Sequence, residues 1–212
     1  MISLIGVCEK CGAKSPVTQH EKLARLIFWR PVLVCSTMRM RTQSVTRGCH
    51  TAKSWDPSRP LHDEAVHFNP PFVDGVIARM MNDDEKARSA FTAAHSEQEK
   101  TVQAQPKYGP PLCVLGLIDA VLGRKEEALR EGRRAVELLP VEKDAINGPL
   151  MHEYFAMIAA WTGDKDLACE QLGTAIRYPS SLSYGRLKLL PFWDLLCGDP
   201  RFEKIVASLA PN

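Results

Sequence analysis

Few groupings in this chain have the residue types and spacing that chemistry demands. Cys8-Glu9-Lys10-Cys11-Gly12 sets two thiols two residues apart. Two such thiolates on a turn can chelate one tetrahedral zinc ion. A ribbon or knuckle needs a second pair, and the chain offers none: Cys35 stands by itself, and Cys49 and His50 are neighbours whose side chains rarely aim at one metal. A redox role for the pair would need a strand-to-helix context, which the surrounding residues do not supply. His62, Asp63, Glu64 and His67 form a second polar group, but its histidines are five apart. They therefore miss the shared helical face that an HExxH site requires. Asp83-Asp84-Glu85 opens a periodic segment, where acidic side chains favour the positive end of a helix. His152 and Glu153 are adjacent and leave a helix in different directions. Cys113 and Cys169 fall at helical positions and read as small packing residues. Neither a glycine-rich phosphate loop nor a nucleophile elbow occurs. The expectation is a protein with no catalytic residues, no metal and no cofactor.

The elements that would position any site are helices. Leu112–Pro140 contains two helical patterns split by Gly123. In the second, Ala128, Leu129, Gly132, Ala135 and Val136 form one apolar stripe at the 3.6-residue period. Arg124, Lys125, Glu126, Arg130, Arg133 and Glu137 occupy the opposite face. Glu126 with Arg130, and Arg133 with Glu137, stand at i,i+4 and could pair for about 0.3 kcal/mol each. Gly123 suits the end of the first helix and Pro140 stops the second. The spacing predicts a helical hairpin whose small residues mark a close helix–helix approach.

This stretch resembles a tetratricopeptide (TPR) repeat, a family pattern of about 34 residues. The residues that carry the likeness are Leu115-Gly116, Ala128, Ala135 and Pro140, while Leu112 and Gly132 stand where the family has aromatics. The layout recurs downstream at an offset of 40, with Ala156, Gly163, Ala168 and Ala175. It recurs upstream at an offset of 41, with Gly75, Asn82, Ala87, Phe91 and Ala94. A single hairpin cannot bury its own apolar face, so repeats need such neighbours. At the other end, Pro191-Phe192-Trp193 and Asp199-Pro200-Arg201-Phe202 resemble the closing motif that follows many bacterial TPR arrays. There Asp199 would cap a helix starting at Pro200, and Phe202, Ile205, Val206 and Leu209 would form its apolar stripe. The likeness implies an all-α protein. It would be a short right-handed α-solenoid of about three hairpins over residues 65–212, closed by a C-terminal capping helix. Residues 1–64 would form a basic, irregular segment.

Composition bounds the functional classes. The net charge of +2 over 212 residues argues neither for nor against nucleic acid. Residues 1–64 carry ten Lys/Arg against five Asp/Glu, and residues 65–212 carry 17 against 20. The basic excess is thus confined to the weakly patterned end, where Met38–Arg59 reads as loop. MISLIGV is followed too soon by Glu9-Lys10 for a secretory signal, and Leu23–Cys35 is interrupted by Arg25, Arg30 and Pro31. Seven scattered cysteines suit reduced thiols. These features predict a cytoplasmic protein without a membrane segment.

The resemblance implies a non-enzymatic scaffold that binds a protein or peptide. Its concave groove would be lined by first-helix residues, with Phe72, Arg79, Tyr154, Met157 and Trp161 as the residues most expected to contact the partner. The lining is mainly apolar, which favours an apolar or amphipathic helix over a charged tail. Two alternatives are the C-terminal sensor or scaffold part of a larger bacterial regulator, such as a kinase or transcription factor, and a zinc-dependent nucleic-acid binder using residues 1–64.

Overall fold

The structure, a computed structural model, describes residues 61–63, 65–178 and 182–210 and two short backbone segments, 6–7 and 14–15. The CxxC pair, Cys35, Cys49, His50, Met38–Arg59 and Glu64 lie outside the described residues. Two antiparallel ribbons occur, β1 (Gly6–Val7) with β2 (Lys14–Ser15), and β3 (Leu61–Asp63) with β4 (Val66–Phe68). From Pro70 onward the described chain is predominantly helical.

Six helices form three consecutive pairs: α1 (Pro70–Met80) with α2 (Asp84–Ala104), α3 (Pro110–Val121) with α4 (Lys125–Leu138), and α5 (Asn147–Trp161) with α6 (Lys165–Ala175). Local signals account for their ends. The Asn69 side chain accepts the Phe72 N–H at 2.9 Å ahead of Pro70-Pro71, and Asp83 accepts the Lys86 N–H at 3.1 Å. Each satisfies a donor that a helix start leaves open.

The turns inside the three pairs share one geometry. Asn82, Gly123 and Gly163 adopt positive φ of 57°, 81° and 84°. The next residue returns an N–H to the carbonyl five positions back: Asp83 to Ala78 at 3.0 Å, Arg124 to Asp119 at 2.8 Å, Asp164 to Ala159 at 2.9 Å. This is a Schellman closure, which needs a residue tolerant of the left-handed region. Glycine meets that need twice, and asparagine, the next most tolerant type, once.

Packing follows from the small residues. Gly75, Gly116 and Ala156 are buried in the first helices, and Ala87/Ala94, Ala128/Ala135 and Ala168/Ala175 in the second. A methyl group at Gly116 would lie 2.7 Å from Ile158 Cδ1 and 3.1 Å from the Ala128 carbonyl oxygen. The missing aromatic at Gly132 is compensated from the next pair. Phe155 of α5 fills that space, so closely that a Cβ on Gly132 would meet its ring at 2.4 Å. Successive pairs touch through α2–α3, α4–α5 and α3–α5. Helix α3 is consequently buried on every side from Pro110 to Ala120, whereas α4 buries only Ala128, Gly132 and Ala135.

Two corrections to expectation emerge. The i,i+4 pairs do not form; Arg130 contacts Glu131 at 3.5 Å and Arg134 contacts Glu137 at 3.6 Å. On an exposed face such pairs are worth little, and neighbouring partners compete on equal terms. Ribbon β3–β4 spans residue 65, and its Asp63 is buried against the helices. The C-terminal region is also more than one capping helix. It comprises α7 (Tyr184–Leu189), a 3₁₀ turn (Pro191–Leu196) and α8 (Pro200–Ser208). Helix α8 begins at Pro200 under an Asp199 cap, as expected, and buries Phe202 and Val206 against α6, α7 and the ring of Trp193.

Candidate interaction surface

The five expected groove residues divide into two groups. Phe72, Tyr154 and Met157 are each 2% exposed and belong to the core, so they have almost no surface to offer a partner. The reason is tertiary. Ribbon β3–β4 lies over the first-helix face, where the Phe68 ring stacks on Phe72 at 5.0 Å and meets Tyr154 at 6.1 Å. Residues 184–196 press on α5. Arg79 is exposed and Trp161 half-buried, and these two remain open.

An ion cluster holds the covering segments down. Arg186 of α7 donates through Nε to Glu153 Oε1 of α5 at 2.7 Å, and through both terminal nitrogens to the Asp63 carboxylate of β3. Tyr154 completes it by donating its hydroxyl to Asp63 Oδ2 at 2.9 Å. Side-chain exposure is 8% for Arg186, 1% for Asp63 and 0% for Glu153. Burial acts to lower the Arg186 pKa, but Glu153 and Asp63 outweigh it and raise it. Burial, reinforced by the Asp63 charge, pushes the Tyr154 phenol well above its ordinary range, so it stays a donor. One guanidinium fork thus ties together parts of the chain 33 and 123 residues away. Its role here is to close the structure.

The open residues border a hollow of about 390 Å³, lined by Arg79, Asp84, Ala87, Arg88, Ala120, Val121, Leu122 and Trp161. It lies where α1, α3 and α5 end and α2 begins. The Trp161 indole donates its N–H to the Phe192 carbonyl at 3.0 Å and packs on the Phe192 ring at 5.4 Å. The Arg79 guanidinium carbon sits 5.1 Å from the centre of the Trp161 ring, within cation–π range.

A second polar cluster joins α2, α3 and the residue that opens α4. His95 Nε2 lies 3.1 Å from the buried Asp119 Oδ1, His95 Nδ1 lies 3.5 Å from Glu99, and Arg124 Nη1 is 3.3 Å from the same Asp119 oxygen. Burial raises the Asp119 pKa against the pull of His95 and Arg124. These groups tie three helices together at one turn. Elsewhere, His152 Nδ1 is 2.8 Å from Gln171 Oε1 while Glu153 is held by Arg186, so the adjacent pair diverges. The Cys113 and Cys169 thiols are buried, and burial pushes both above the ordinary thiol range, away from thiolate chemistry. Among the described residues, no group of three or more His, Cys, Asp or Glu side chains is placed to hold a metal ion. None of their helices is long and apolar enough to cross a membrane.

Sequence reasoning missed Asp63 and Arg186 as partners, since no periodic or spacing signal links residues 123 apart. Comparison with protein-family models, with curated proteins and with solved structures finds no match for this chain.

Proposed function

We propose that residues 65–212 form a right-handed α-solenoid of three TPR-like hairpins, and that the chain is a non-enzymatic scaffold binding a protein or peptide partner. The observation that carries this reading is the threefold recurrence of one hairpin, with the same Schellman turn and the same buried small residues at offsets of 40 and 41. Repeats of this kind present extended surfaces rather than enclosed catalytic pockets. The first-helix face is already filled by residues 61–68 and 184–196, so the partner engages the open end around Arg79 and Trp161. The test is affinity capture by the full-length chain from its parent lysate, comparing wild type with Arg79→Ala. Arg79 is exposed and makes no ion pair among the described residues, so this change leaves the fold intact. A protein retained by the wild type and lost from the variant is the expected result. Capture of the same set by both, or of nothing, counts against the reading.

A further inference from the structure

The hollow at the open end has a chemistry of its own. Arg79 and Arg88 line it, both exposed, and among the described residues neither has a carboxylate within 4.0 Å. Asp84 lines it as well but pairs with neither arginine. The apolar part of the lining is small: the half-buried Val121, Leu122 and Trp161 indole, with the buried Ala87 and Ala120. That indole is held in place by its N–H bond to Phe192 before any ligand arrives.

We infer that this hollow takes an acidic segment of a partner protein, with a carboxylate side chain on Arg79 and Arg88 and an adjacent apolar side chain on Val121, Leu122 and Trp161. The inference rests on the scaffold reading above and names its partner class. A guanidinium is the group best shaped to accept a carboxylate through two parallel hydrogen bonds. The ordered tryptophan lowers the entropic cost of docking an apolar side chain beside it. A free inorganic anion would leave the apolar wall unused.

The experiment uses the full-length chain and three fluorescein-labelled amphipathic peptides with identical Leu and Phe positions. Their polar positions are all Glu, all Gln or all Lys, and binding is read by anisotropy. The expected result is binding of the Glu peptide about tenfold or more tighter than of the Gln peptide, with no binding of the Lys peptide. The preference should fall as salt is raised from about 0.05 to 0.3 M. The Arg79→Gln/Arg88→Gln variant should bind the Glu and Gln peptides alike. Equal affinity of the wild type for the Glu and Gln peptides overturns the acidic assignment and leaves the scaffold reading in place. Displacement of the Glu peptide by millimolar inorganic phosphate also overturns it, because the site is then a simple anion site. Failure of all three peptides overturns the partner class, and the lysate capture then decides separately whether the scaffold reading stands.

Discussion

Two arginines in this protein live under opposite conditions. Arg186 is sealed between Asp63, Glu153 and Tyr154, with each of its three nitrogens donating to a buried carboxylate. Arg79 lies across the Trp161 ring at the lip of an open hollow. Both carry the same charge, and both come from helices. A guanidinium enclosed by carboxylates is committed to the fold, whereas one lying beside an aromatic face in water can still take a partner. The expected binding face is therefore divided, with its centre closed by the chain itself and its end left open.

Changing the sealed arginine is the most severe way to test this contrast. Arg186→Met leaves Asp63 and Glu153 buried without their countercharge and should cost about 3–5 kcal/mol, measured by urea unfolding. Arg186→Lys should recover part of that, since it keeps the charge and loses the fork. A Met variant as stable as the wild type would show that the cluster does not hold ribbon β3–β4 down.

Next in size is the close packing on which the sealed region depends. Ala128 is fully buried where α4 meets α3, so closely that a Cβ added to Gly116 would lie 3.1 Å from its carbonyl oxygen. Ala128→Leu should destabilise by about 1–3 kcal/mol through overpacking. Thermal melts matching the wild type would mean that the interior is looser than these distances imply.

The acids extend the comparison to pH. Asp199 caps α8, half-buried, and bonds Arg201, which holds its carboxyl at about 2 against an ordinary 3.8. A pKa depressed on folding stabilises the native state above the unfolded value, and that benefit is lost as pH falls through the folded one. The melting-temperature gap between wild type and Asp199→Ala should therefore hold from pH 7 to about 5 and narrow between pH 4 and 2. A constant gap across that window would mean that the charge on Asp199 contributes nothing and only its hydrogen-bond geometry matters.

The smallest effect on stability belongs to the open arginine. Arg79→Gln removes an exposed cation–π contact of about 0.5–1 kcal/mol and should shift the melting temperature by no more than a few degrees. A large loss would place Arg79 with Arg186 as a structural residue and erase the contrast.

Much of the helical framework was legible residue by residue. Asn82, Gly123 and Gly163 marked the turns, Asp83 and Asp199 the starts, and the recurring Gly and Ala positions the close contacts. Each of these is a local demand that one backbone position makes on one residue type, so it leaves its mark at a fixed spacing. The candidate site was legible only at its edge, through Arg79 and Trp161. Phe72, Tyr154 and Met157 have the composition of a binding face, and Glu153 that of a polar groove residue, yet all four are buried. What buries them is a short ribbon and a six-residue helix that carry too little periodicity to announce a docking place. The sequence by itself determined where helices begin, turn and approach one another, because those are short-range constraints on single residues. Only the tertiary structure decided which face stays open, because Asp63, Glu153 and Arg186 meet through ion pairs that depend on distance in space and leave no trace in sequence separation.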